Sequence, residues 1–325
     1  MADIKQQLNE HLTFLTQIDP PRNWINRESL AIAADYIRTS FKLENYDVID
    51  QKWEVGKFDY TNVIAKYNPH LKQRLIIGAH YDVFSNQPGA DDNGSGVAGL
   101  LTLAKRIATE KPNLPYGIDF VSYCLEEPPH FGTKNMGSYI HAKSLADQDI
   151  PVIGMICLDM IGYFDDRSNS QQYPKAEFTA NLPHVGNFIG LVGLNKFDTF
   201  NSAIYTQMNR QKEVKTVPIS FPSADGLAGL SDHRNYWLFD FPAVMINDTA
   251  KYRNPNYHEP TDTLETLDLD KISAVVDAVY LAVSEPLPFT SEEEVNQDND
   301  TPTKPHFFNR FCSWIKGLFT STKNK

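Results

Sequence analysis

Three apolar runs, each cut off by an imidazole or a carboxylate, constrain the fold of this chain more than any other feature. Leu75-Ile76-Ile77-Gly78-Ala79 passes into His80-Tyr81-Asp82, Phe120 to Leu125 into Glu126-Glu127, and Val152 to Leu158 into Asp159. A strand that is apolar along its length, not at every second position, has both faces covered, as parallel strands do beneath crossover helices. Ser95 to Thr109, rich in small residues and leucines, and Met136 to Leu145 read as those helices, with Gly117–Leu125 and Val152–Leu158 as the strands they connect. Upstream, Tyr46 to Val55 and Thr61 to Tyr67 are β-rich, and amphipathic stretches near residues 3–17 and 27–42 flank Pro20-Pro21. Downstream, the pattern predicts helices near 185–193 and 197–210, a strand at Phe241–Ile246 and a helix near 270–284 before Pro286 and Pro288. The alternation specifies an α/β fold, a mixed and centrally parallel sheet with helices on both faces.

At 325 residues the chain is long enough for one large domain or two ordinary ones. With no internal repeat, residues 1–290 read as a single domain, 291–305 as an acidic flexible linker and 306–325 as an amphipathic basic-aromatic segment. In that last segment Phe307, Phe308, Phe311, Trp314, Ile315, Leu318 and Phe319 recur at helical spacing against Arg310 and Lys316. The pattern suits a helix lying at a membrane interface, giving peripheral contact, or a helix docked on its own domain or a partner subunit. Cys312 within it is a candidate for reversible palmitoylation. The apolar runs fall far short of the roughly 20 residues a membrane span requires. Thirty basic against 41 acidic residues give a net charge of −11, a sign that repels a phosphate backbone, so nucleic acid is not expected as a partner. Cys124, Cys157 and Cys312 are too few for a disulfide framework, and Met1 to Leu8 carries no export signal, so a cytoplasmic location is expected.

Open α/β sheets bind ligands beyond the carboxyl ends of their strands, which is where His80, Asp82, Glu126, Glu127 and Asp159 fall. The loop Gly89-Ala90-Asp91-Asp92-Asn93-Gly94-Ser95-Gly96 and the downstream Tyr257-His258-Glu259-Pro260 add further candidates. Singly, each has a plainer role: His80 in a core, Asp82 and Asp92 in turns, Asp159 as a helix cap, Glu126-Glu127 and His258 on a surface. Together, so many carboxylates on one sheet edge repel one another unless cations are bound. Mixed imidazole and carboxylate donors suit Zn²⁺, with Co²⁺ or Mn²⁺ as substitutes, whereas Ca²⁺ and Mg²⁺ take oxygen alone.

The order and spacing of these landmarks over residues 60–270 resemble the M28 co-catalytic di-zinc aminopeptidases, a family that includes bacterial leucyl aminopeptidases. The resemblance implies a zinc-exopeptidase, phosphorylase/hydrolase-like fold and removal of the N-terminal residue from peptides with a free N-terminus by a zinc-activated water. It implies that His80 and Asp159 bind one zinc, Glu127 and His258 the other, and Asp92 bridges both, leaving Glu126 as general base. Tyr257 then matches a tyrosine that stabilises the oxyanion, and a cis peptide is implied between Asp92 and Asn93. Asp82, two residues past His80, is placed to accept the other imidazole N–H of that histidine. His233, in Ser231-Asp232-His233, is read as structural, and His130 and His141 as surface or packing residues.

The stretch from Pro128 to Met136 before Gly137-Ser138 is longer than in most relatives and sits beside Glu126, so it should reshape the substrate pocket. Phe131 and Met160 are candidate walls, which favours an apolar first residue. Other readings on this fold are a single-zinc glutaminyl-cyclase-like acyltransferase, a carboxypeptidase and a non-catalytic binding module. His80 and Asp159 argue against the first, and the intact ligand set with Glu126 against the last.

Overall fold

The computed structural model describes residues 4–174 and 176–289, and the expectations for 291–325, Cys312 included, lie outside the described residues. Eight strands form one sheet: β1 Asp47–Val55, β2 Phe58–Tyr67, β3 Arg74–His80, β4 Gly117–Tyr123, β5 Val152–Leu158, β6 Phe188–Leu194, β7 Lys215–Phe221 and β8 Ala243–Asn247. The helices are α1 Ile4–Thr16, α2 Arg27–Leu43, α3 Gly96–Glu110, α4 Gly137–Asp147, α5 Ala176–Thr179, α6 Asp198–Met208, α7 His233–Trp237 and α8 Leu269–Val283. Strand order is β1-β2-β4-β3-β5-β8-β6-β7. The centre, β4-β3-β5-β8, is parallel, while β2 runs against β4 and β6 against β8.

Burial follows the sequence pattern. Every residue of β3, β4, β6 and β8 is buried, whereas edge strand β1 is exposed or half-buried throughout. One face of the sheet is packed by α1, α2, α3, α6 and α8, the other by α4, α7 and Phe178 of α5. In α8 the buried residues Ile272, Val275, Val276, Val279 and Val283 recur every three or four positions, and the Asp268 carboxylate caps the helix by accepting from the Lys271 amide at 3.0 Å.

Two strands differ from the sequence reading, which also had no counterpart for the short helices α5 and α7. The expected helix near 185–193 is strand β6, Phe188–Leu194, paired with β7 and β8. A wholly buried strand has no exposed face, so its apolar run lacks the alternation that separates strand from helix. Strand β7, Lys215–Phe221, had no sequence counterpart because Pro218 interrupts it. As an edge strand paired with β6 alone, it occupies a place in the sheet that tolerates proline.

Candidate metal centre

The chain leaves β3 to form β4 on one side and returns to form β5 on the other, opening a crevice at the carboxyl ends of all three. His80 is the last residue of β3, Glu126 and Glu127 follow β4, and Asp159 follows β5 directly. Asp92 sits in the tight turn Ala90–Ser95 that leads into α3, and the Asp92–Asn93 peptide is cis. His258 comes from the loop after β8.

These side chains converge as two triads, His80/Asp92/Asp159 and Asp92/Glu127/His258, in each of which the ligand atoms lie within 4.8 Å of one another. Asp92 belongs to both and turns one oxygen to each: Oδ1 lies 3.5 Å from His80 Nε2, and Oδ2 lies 3.1 Å from His258 Nε2. His80 Nε2 is 3.7 Å from Asp159 Oδ1, and His258 Nε2 is 3.5 Å from Glu127 Oε2. Glu126 belongs to neither triad, with Oε2 3.9 Å from His80 Nε2.

Main-chain cradles hold the acids in place. The Asp82 carboxylate accepts from the amides of Glu126 (3.1 Å) and Glu127 (3.0 Å). Asp262 does the same for Asp91 (2.9 Å) and Asp92 (3.1 Å). Asp82 meets the other imidazole nitrogen of His80 through its backbone carbonyl, 3.1 Å from Nδ1, while its carboxylate, 3.8 Å from that nitrogen, serves the two amides. Asp262 carries no sequence signal, because the amides it serves lie 171 and 170 residues upstream. The His258 ring is sandwiched between Phe84, at 4.1 Å and 8°, and Tyr257, at 3.8 Å and 19°. His233 packs edge-on against Trp237 with Nε2 2.7 Å from the Ala228 carbonyl oxygen, His141 is buried against the Tyr236 hydroxyl, and His130 packs against Trp24 and Tyr60.

Electrostatically the cluster calls for cations. Burial pushes Glu126 well above the usual carboxylate range, against the pull of His80 and with the charges of Glu127, Asp232 and Asp159 adding to it. Burial and the neighbouring Asp92 raise Glu127 to about 8. Asp232, missed in the sequence, is raised to about 7 by burial. Burial lowers the tendency of His258 to protonate, but Asp92 and Glu127 outweigh it and lift the imidazole to about 9. In the bare protein, protons must screen these charges. Glu127 Oε1 is buried without a hydrogen-bond partner, so a ligand position is left open among nitrogen and oxygen donors suited to a borderline divalent metal. The residues fit the group.

A cavity of about 250 Å³ is lined by Asp92, Glu126, Glu127 and Asp159 together with mainly apolar residues, among them Phe178, Val192, Ile219, Phe221 and Met245. Phe131, Met160, Tyr257 and His258 also line it.

A sequence profile of Peptidase family M28 matches residues 62–283. The uncharacterized protein YfbL of Escherichia coli (strain K12) is 39% identical over 286 residues, 84% of this chain and 86% of YfbL. A probable leucine aminopeptidase of Trichophyton verrucosum is 24% identical over 267 residues, covering 76% of this chain but 61% of the fungal protein, less than two thirds of its length. Among solved structures, the Legionella pneumophila LapA aminopeptidase superposes with a TM-score of 0.68 at 21% identity, over 86% of this chain and 71% of that one. Bacteroides thetaiotaomicron glutaminyl cyclase bound to N-acetylhistamine gives 0.63 at 17% identity, over 87% and 96%. At these identities the two structures establish the fold alone. The profile spans more than half of the chain: the chain belongs to peptidase family M28.

Proposed function

We propose that this chain is a metal-dependent aminopeptidase that removes an apolar first residue from peptides with a free N-terminus. Asp92 carries the reading: it faces two triads at once while Glu126, outside both, lines the same cavity. His80 and Asp159 would hold one divalent ion, Glu127 and His258 a second, and Asp92 both, with zinc the best match to the donors. Bound there, such ions supply Lewis acidity, which lowers the pKa of water and polarises a carbonyl.

The protein's own groups do the rest. Glu126 accepts the proton of the attacking water and returns it to the leaving amine. Burial and four nearby carboxylates push the Tyr257 phenol far above its ordinary range, so it stays protonated and able to donate to the developing oxyanion. The apolar walls take the first side chain and exclude water, and the buried carboxylates attract the substrate ammonium. A reducing compartment such as the cytoplasm suits the buried free thiols Cys124 and Cys157. No helix among the described residues is long and apolar enough to cross a membrane.

The fold shared with the Bacteroides glutaminyl cyclase supports a second reading, single-metal cyclisation of N-terminal glutamine. One experiment separates the two. Aminoacyl-anilides and a glutaminyl peptide are assayed before and after chelation, with zinc, cobalt or manganese restored and bound metal counted. The aminopeptidase reading expects two ions per chain and metal-restored release of anilines with apolar residues. One ion with ammonia release from the glutaminyl peptide replaces it with the cyclase, and neither activity removes both.

A further inference from the structure

Arg22 lies 40 residues before the start of the family match, in the turn between α1 and α2, and is 1% exposed. Among the described residues its guanidinium donates to main-chain carbonyls: Nε to Tyr81 at 2.8 Å, Nη1 to Leu15 at 2.9 Å and Pro88 at 2.7 Å, and Nη2 to Gly89 at 2.8 Å. Tyr81 follows His80, and Pro88-Gly89 leads into the turn that carries Asp92. The Arg22 carbonyl also accepts from the Val83 amide at 3.3 Å, so main chain and side chain grip the same loop. The contact is close on the far side too, because a Cβ on Gly94 would lie 2.8 Å from the Gly89 oxygen and 3.5 Å from Arg22 Nη2. Burial lowers the guanidinium to about 10, against the pull of Asp262, Asp82 and Asp92, which leaves it a cation at neutral pH behind the carboxylates.

We infer that Arg22 is a positioning residue of the metal centre, holding the His80 and Asp92 loops at the spacing that lets Asp92 face both triads. The turn that carries Arg22 is thereby part of the catalytic unit. The inference rests on the metal-dependent reading given above. The planar fork matters as much as the charge: four carbonyls in different directions need the fixed N–H geometry of arginine, which a lysine ammonium does not reproduce.

The test compares full-length wild type, Arg22→Met, Arg22→Lys and Leu8→Ala. Leu8 is a buried residue of α1 outside the site, so its variant controls for a loosened N-terminal helix. Zinc affinity is measured by competition with a chromophoric chelator, and thermal unfolding is followed on the metal-free proteins. Arg22→Met is expected to weaken zinc binding at least about tenfold, the effect usual for residues that orient ligands. Arg22→Lys should fall between it and wild type, and Leu8→Ala should keep wild-type affinity despite its lower melting temperature. If Arg22→Met does not fold, Arg22→Lys carries the comparison. Wild-type affinity in the Arg22 variants, or an equal loss in Leu8→Ala, overturns the inference. Wild type that binds no zinc removes the metal reading instead. Amide exchange at Gly89 to Asp92 in the metal-free proteins then decides, with faster exchange in Arg22→Met than in Leu8→Ala expected and equal rates overturning it.

Discussion

Glu126 and Asp92 are neighbours in the site with opposite consequences when changed. Glu126→Gln removes the proposed proton acceptor and leaves both triads whole, so it is expected to bind metal as wild type does and lose at least about a hundredfold in kcat. Metal analysis beside steady-state kinetics checks this, and near wild-type turnover would remove Glu126 as the base. Asp92→Ala takes a carboxylate from both triads and should cost both ions, whereas two tightly held ions in that variant would sink the bridging role. Asp82 illustrates what spacing alone misses. Its neighbourhood to His80 suggested an imidazole partner, yet the carboxylate is spent on the amides of Glu126 and Glu127. Asp82→Ala leaves two buried donors unpaired, at about 1–3 kcal/mol each. Urea unfolding of the chelated protein should show a loss of about 2–6 kcal/mol for the two together, and an unchanged midpoint would contradict the cradle.

The strand ends are where the elements meet function. The polar groups after β3, β4 and β5 were legible because each apolar run stops at an imidazole or a carboxylate, and a strand buried on both faces is mostly apolar until it leaves the sheet. β6 and β7 contribute Val192, Ile219 and Phe221 to the pocket wall, and neither strand was read from the sequence. Packing in this layer is tight. A Cβ on Gly78 of β3 would lie 2.3 Å from the Tyr123 ring, whose hydroxyl is held by Tyr236 at 2.6 Å, so the ring cannot swing away. Gly78→Ala should therefore destabilise the fold by about 1–3 kcal/mol, as overpacking does. Val192→Trp fills the pocket from β6 and is expected to cut kcat/KM for a phenylalanyl anilide at least about tenfold relative to an alanyl one. An unchanged ratio would place the first side chain elsewhere.

At the scale of the whole molecule, buried histidines couple stability to acid. Burial holds His141 down to about 4 from an ordinary 6.5, with Nδ1 2.6 Å from the Tyr236 hydroxyl oxygen. Between those pH values the unfolded chain takes up a proton that the folded chain refuses, so stability is full above pH 6.5 and falls towards pH 4, by about 3 kcal/mol from this residue. His141→Gln, which does not titrate, should flatten the dependence of the urea midpoint on pH in the chelated protein, and parallel curves would show that His141 does not carry it. The same residue shows the limit of one-dimensional reading: its helix position was visible in the sequence, but its burial and its contact with a tyrosine 95 residues away were not. The chain's local pattern determined the α/β class, the parallel centre and the imidazole and carboxylates at three strand ends, because an apolar run that stops abruptly at a polar group marks where a buried strand leaves the sheet. Tertiary structure alone decided what has no local signature. It set which oxygen of Asp92 faces which triad, gave Asp262 and Arg22 their grip on amides and carbonyls far away in sequence, and turned Phe188–Leu194 and Lys215–Phe221 into the pocket's wall. Main-chain donors and acceptors are the same at every residue, so only the folded path decides which of them a side chain can reach.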